Sequence, residues 1–408
     1  METLFAVCVP GLEFLIGREL EGLGLSPSAP GPGSQAGEVE FQGSLQDLYR
    51  ANLHLRCADR VLVRLGQFYA SAFPELRRKA GRLPWEKYLG PGRPVAFRVD
   101  CRTSRLYHEG AVAERLAGAI ADRLGTPPAV VKVQESADTD LPQLIFARLE
   151  NNLCAIGVDS SGAPMHRRGY RLVSAKAPLR ETLACAIVMA SEWDAASPLL
   201  DPFCGSGTIA IEAALLARKI PPGLSRPFAF MRWPGFNSGS WEALLADARK
   251  GIAPTTSKIM ASDRDAGAIL AAESNAARAG VAESVEFSRK AVSAIEPPPV
   301  PGWVVTNPPY GVRLSKSNDL RNLYAQLGKI LAAKCAGWRV TMLCNTMQLI
   351  RSTGLRFEPG VSTMNGGLRV RLWTCPHVSG RSRRHPAAKM TPPAPPSFSR
   401  ADSRSNVQ

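Results

Sequence analysis

Between Arg60 and Phe68 the chain reads RVLVRLGQF, with Val61, Val63 and Leu65 on one face and Leu62 and Arg64 on the other. A period of two marks a half-buried strand. LFAVCVP and EVEF near the amino terminus, and then VAFRVDC, VVKVQ, QLIFARLE and LCAIGVD, read as further strands. Helical spacing governs FLIGRELEGLG, LQDLYRANLHLR (apolar at Leu45, Leu48, Tyr49 and Leu53) and EGAVAERLAGAIADRLG, which Gly125 closes. Residues 1–44 therefore predict a small strand–helix–strand module around a Pro/Gly/Ser loop, and residues 45–160 a compact α+β domain.

From Leu179 the pattern becomes an alternation. LRETLACAIVMASEW, TIAIEAALLARK, AGAILAAESNAARAG and DLRNLYAQLGKILAAK are helical; SPLLD, KIMASD, VEF, WVVTN, WRVTMLC and LRVRLWTC are strands. Strands alternating with helices imply βαβ units and a doubly wound, mostly parallel sheet over residues 179–375. Ligands of such sheets bind beyond the carboxyl ends of the strands. Residues 161–178, including GAPMHRRGYRL, read as a basic linker. His166, Arg167, Arg168 and Arg171 surround Tyr170 there, which fits either a solvated connection or a surface that grips phosphate and stacks a base. Residues 376–408, rich in Pro, Ser and Arg, lack the apolar side chains needed to fold.

Composition narrows the partners. At 408 residues the chain is long enough for two or three domains, and its formal net charge of +15 favours nucleic acid or another anionic surface. Nine cysteines without a CxxC pair argue against a zinc site or a disulfide framework and for a reduced, cytosolic setting. No signal peptide and no apolar run of membrane-spanning length is present, so no membrane is expected, and the scattered cysteines leave no metal expected.

Two stretches carry chemistry. In VVTNPPYGVRL the prolines cannot donate to a ladder, so the strand stops with Asn307 at its edge, Pro308 and Pro309 fixing the exit, and Tyr310 just beyond. In LLDPFCGSGTIAIEAAL a strand ends at Asp201, and Gly205 and Gly207 bracket Ser206 before a helix opens near Thr208. The loop lacks the lysine and hydroxyl order of a phosphate-cradling loop, and has only the first two glycines of a dinucleotide fingerprint. Between them KIMASDRD ends a strand at Asp263, either a carboxylate near a helix start or the group that grips a ribose.

In this order, the three elements resemble the Rossmann-like S-adenosylmethionine-dependent methyltransferases, in which NPPY marks transfer to an amino or amide nitrogen. HRRGYR, APLRETLA, DPFCGSGTIAIEAALLARKIPPG, FMRWPGF and NPPYGVRL together resemble the bacterial THUMP-containing RNA guanine-N2 methyltransferases. LYRANLHLRCADRVLVRLGQF and LENNLCAIGVDSSG are similar to the two ends of their THUMP domain, so the likeness runs from residue 1 to 375. It implies that residues 1–44 form a ferredoxin-like half module and residues 45–160 a THUMP-like domain that docks structured RNA. It implies S-adenosyl-L-methionine as cofactor, held by Asp201, Pro202, Cys204, Gly205, Ser206, Gly207, Thr208 and Asp263. It implies catalysis by Asn307, Pro308, Pro309 and Tyr310; the basic cluster of His166, Arg167, Arg168, Tyr170 and Arg171 is the expected RNA contact on its composition. Family members often carry an aspartate near the adenine after the third strand; SRKAVSAI places Ala291 there instead. The expected activity is methylation of guanosine N2 in 23S rRNA. A tRNA guanine enzyme, a DNA amino-methyltransferase and a non-catalytic RNA-binding factor on the same fold stand as alternatives.

Overall fold

The computed structural model describes residues 1–29, 35–132, 141–171, 179–254, 257–311 and 317–379. The Pro/Gly/Ser loop tip, the end of VVKVQ, the stretch that follows NPPYG and the tail from residue 380 lie outside the described residues.

The amino-terminal elements are β1 (Glu2–Val7), α1 (Glu13–Gly22), β2 (Glu38–Gly43), α2 (Leu45–His54), β3 (Arg60–Tyr69), α3 (Phe73–Ala80), β4 (Val95–Arg102), α4 (Glu109–Leu124), β5 (Gln143–Glu150) and β6 (Leu153–Asp159). They build one six-stranded sheet in the order β2-β1-β3-β6-β5-β4, parallel only between β4 and β5. Val61, Val63 and Leu65 are all buried, as their alternation predicts. Ser44 starts α2 with a reciprocal capping box to Asp47, and Gly125 closes α4 at φ 73°. Because β1 pairs with both β2 and β3, the boundary expected at residue 44 falls inside a continuous sheet. Val130, expected in a strand, makes only an isolated bridge to Val95.

The second half contains α5 (Glu181–Ala190), β7 (Leu199–Asp201), α6 (Thr208–Ala217), α7 (Ser238–Lys250), β8 (Ile259–Asp263), α8 (Ala266–Arg278), β9 (Val285–Arg289), β10 (Trp303–Thr306), α9 (Ser317–Lys334), β11 (Arg339–Cys344), α10 (Met347–Ser352), β12 (Glu358–Asn365) and β13 (Leu368–Cys375). Its seven-stranded sheet runs β12-β13-β11-β10-β7-β8-β9. Strands β11 through β9 are parallel, and β13 returns antiparallel against β11. Alternate residues feed two cores. Leu199, Val305 and Leu343 join α5, α6 and α8, while Leu200, Val304 and Met342 join α9 and α10. Covered on both faces, these strands are apolar along most of their length, with polar residues such as Asp201 and Thr306 at their carboxyl ends.

The first of these cores continues into the amino-terminal sheet through Val61 and Ile156. Tyr49 of α2 stacks on Phe230 with centroids 4.5 Å apart, and Phe228 and Trp241 close the cluster. Burying each large apolar side chain stabilises by roughly 1.5–3 kcal/mol, so the halves are joined by a shared core. Among the described residues, no helix is long and apolar enough to cross a membrane.

Candidate active site

β10 lies between β7 and β11, and β8 flanks β7. The parallel register sets Trp303 against Leu199 and Val304 against Leu200, which brings the tips of β7 and β10 side by side. Thr306, the last residue of β10, donates its hydroxyl to Asp201 Oδ1 at 2.6 Å, tying the strand before NPPY to the strand before the glycine loop. Phe203 N–H donates to the same oxygen. Asp201 is fully buried, and burial, with the neighbouring charge of Asp263, pushes its carboxyl up to about 7 against the pull of those bonds.

The carboxyl edge of the sheet gathers unsatisfied polar atoms. Asp201 Oδ2 on β7, Ser262 Oγ on β8, Asn307 Oδ1 after β10 and Asn345 Oδ1 after β11 are buried without a hydrogen-bond partner. Those strands are consecutive in the sheet. A buried polar atom left unpaired costs roughly 1–3 kcal/mol, so four at one edge mark a place shaped for something other than packing.

The glycine loop frames the β7–β8 side. Cys204 N–H donates to Ser262 O and Gly207 N–H to Cys204 O, which curls the loop over the strand ends. Gly205 (φ 51°) and Gly207 (φ 83°) both adopt left-handed backbone. A side chain at Gly207 would meet Ala272 Cβ at 2.9 Å and Phe287, whereas one at Gly205 would meet open space. Gly207 thus serves packing, and Gly205 leaves backbone bare toward the site. Gly205 N–H donates to Asp263 Oδ2 at 3.0 Å, and Asp265 N–H to Asp263 Oδ1. Asp265 itself caps α8, its Oδ1 accepting from Gly267 and Ala268. Pro202 and Cys204 are buried, and Ser206 is half-buried. Ala291 follows β9 and is exposed, so it brings no polar side chain to this edge.

Tyr310 is half-buried against both cores, and its phenol oxygen accepts from Asn365 Nδ2 at 2.7 Å. Burial pushes the phenol up to about 12, which keeps it neutral. Asn307 is half-buried, and Pro308 is buried behind it.

The linker behaves otherwise than expected. Arg168 and Tyr170 are 6% and 4% exposed, which withdraws both from RNA. Arg168 donates to Met165 O and Arg56 O and faces Glu212 at 3.6 Å, and Tyr170 OH donates to Glu212 Oε1 at 3.1 Å. Arg171 donates to Leu179 O and to Thr208 Oγ1 at 2.6 Å, with Glu181 at 3.4 Å. His166 sits 3.7 Å from Asp59. The RNA contacts expected of Arg168, Tyr170 and Arg171 are therefore replaced by a buried clamp, because α5 and α6 supply counter-charges that the linker composition alone does not reveal. Thr208, expected beside the cofactor, is 5% exposed and is part of this clamp.

Thr306, Ser262, Asn345 and Asn365 escaped the motif reading. Thr306 and Ser262 are the hydroxyls at the ends of apolar strands and Asn345 is the first polar residue after one, which is the signal that would have found them. Among the described residues, no cluster of His, Cys, Asp or Glu is arranged to hold a metal ion.

Residues 168–371 match the RMKL-like methyltransferase domain, and residues 3–62 match the RlmL ferredoxin-like domain. A Synechocystis protein that bears an RNA methyltransferase name is 33% identical over 373 residues, covering 90% of this chain and 95% of that one. The ribosomal RNA large subunit methyltransferase K/L of Methylococcus capsulatus is 36% identical over 382 residues, covering 90% of this chain and 50% of that protein. The chain thus spans about half the length of the K/L relative it matches. Among solved structures, a chain described as a methyltransferase and crystallised in complex with SAH superposes with a TM-score of 0.83 at 28% identity, covering 93% of this chain and 98% of that one.

Proposed function

The chain belongs to the RMKL-like methyltransferase family, and on that premise we propose that it transfers a methyl group from S-adenosylmethionine to the exocyclic N2 amine of a guanosine in large-subunit ribosomal RNA. The observation that carries this reading is the buried, unpartnered Asn307 Oδ1, tied through Thr306 and Asp201 to the glycine loop.

S-adenosylmethionine, when bound, supplies an electrophilic methyl group on a cationic sulfur. The open backbone at Gly205, the unpaired oxygen of Asp201 and the hydroxyl of Ser262 fit a polar ligand at the β7–β8 edge. Gly205 and Ser206 would hold it there, with Gly207 packing the turn beneath them, and Asp263 would take ribose hydroxyls with the lone pairs its two backbone bonds leave free.

Guanine N2 is a weak nucleophile because its lone pair is delocalised into the ring. Asn307 Oδ1 accepts one of its N–H groups, and the Pro308 carbonyl accepts the other. Two preorganised acceptors favour the positive charge that develops on nitrogen. Pro308 and Pro309 hold them in place, Tyr310 stacks on the base, and a paired base is first flipped out of its duplex. Positioning therefore counts for more than a strong base.

RNA docking falls to the amino-terminal sheet, through phosphates and shape. The ribosomal substrate is favoured by the K/L relatives' name, and nine free thiols fit a reducing cytoplasm. To test this, RNA from a strain lacking the gene is incubated with the purified chain and labelled S-adenosylmethionine, then digested to nucleosides. Label in N2-methylguanosine of the ribosomal fraction is expected. Label in transfer RNA, in N6-methyladenosine or in DNA would overturn the substrate, and no label would overturn the activity.

A further inference from the structure

The loop that carries Tyr310 is held by more than its own strand. Asn365 and Leu368 pair across a two-residue turn, Gly366 (φ 55°) and Gly367 (φ 85°), that joins β12 to β13. Positive φ at both central positions suits a tight hairpin turn and glycine. The turn brings two contacts to the loop. Asn365 Nδ2 donates to the Tyr310 phenol oxygen at 2.7 Å, and Leu368 Cδ1 lies 3.4 Å from where a Cβ on Gly311 would stand. Three features distinguish this from ordinary edge packing. The hairpin is outermost in the sheet, yet its tip reaches past β11 to the loop after β10. The bond is made to a phenol, whose oxygen lies on the ring's own axis, so it fixes the tilt of that axis and leaves the spin to packing. At the tip, Met364 and Leu368 are large apolar side chains 39% and 45% exposed.

We propose that Asn365 is a positioning residue for methyl transfer, fixing the direction in which the Tyr310 ring axis points beside the target base while the packed cores set the ring's spin, so that the β12–β13 hairpin forms one wall of the base site. The inference rests on the functional reading above. Because the phenol oxygen accepts from Asn365, its O–H stays free to turn as the base enters.

The test measures single-turnover methyl transfer to ribosomal RNA with the full chain, in the wild type, Asn365→Ala, Asn365→Asp, Tyr310→Phe and the Asn365→Ala/Tyr310→Phe double variant. Asn365→Ala should slow transfer about tenfold, the loss expected for one positioning hydrogen bond, with SAH affinity by calorimetry unchanged. Tyr310→Phe should lose as much, and the double variant no more than either single one. Asn365→Asp, whose carboxylate accepts the phenol proton, should recover most of the rate. Additive losses, a wild-type rate in Asn365→Ala, or a loss of SAH affinity equal to the loss of rate would overturn the inference. A wild type inactive on every guanine offered would overturn the functional reading, and this inference with it.

Discussion

Asp201 shows how a single residue can be read correctly by place and incompletely by role. Its position before the glycine loop was legible, but its bond to Thr306 was not, because the two are brought together only by the pairing of β7 with β10. The consequence is measurable. The folded carboxyl keeps its proton up to about pH 7, whereas in the unfolded chain it loses it near 3.8. Between those values the folded state binds more protons, so this group's contribution to stability falls as pH rises. The substitution Asp201→Asn keeps an acceptor for Thr306 and removes the titration. Thermal unfolding from pH 4 to 7 should therefore decline less steeply in Asp201→Asn than in the wild type; equal slopes would contradict the assignment.

At the scale of elements, alternation and helical spacing located most of the strands and helices, and the departures have physical reasons. α3 (FPELRRKA) is short and charged, with a proline in its first turn. α7 buries only Trp241 and Leu245 along its length, so its apolar stripe is thin. β12 contains Pro359 and Gly360, and its pairing slips between Pro359 and Ser362, which suits an edge strand and hides it from a period-two test. The basic linker is the larger lesson. Arg168 and Arg171 look like phosphate ligands in sequence, but their partners Glu212 and Glu181 come from later helices. Removing one partner of a buried pair typically costs about 3–5 kcal/mol. Arg168→Ala should lower unfolding stability by that order in a denaturant titration, while the dependence of RNA affinity on salt stays as in the wild type. A stable variant with a shallower salt dependence would restore Arg168 to the RNA surface.

Across the whole molecule, a shared core sets the amino-terminal sheet and the methyltransferase sheet in one arrangement, and the surplus of fifteen positive charges supplies long-range attraction to RNA. If docking uses about six phosphates, affinity should fall by about 10³ between 50 and 200 mM salt; a flat response would remove the electrostatic docking surface. Doubly wound topology and the three motifs were visible in the chain, whereas the row of unpaired atoms along β11, β10, β7 and β8 emerges only when those strands lie side by side. That row puts Asn307 at the centre of the proposed chemistry, and one comparison tests it directly: methyl transfer to ribosomal RNA and SAH binding, measured on the wild type and Asn307→Ala. Transfer should fall by about 10² or more, the scale seen when one preorganised polar group is lost from a reacting centre, with SAH affinity retained. Turnover equal to the wild type would contradict the role given to its carboxamide oxygen and, with it, the chemistry built on that strand tip.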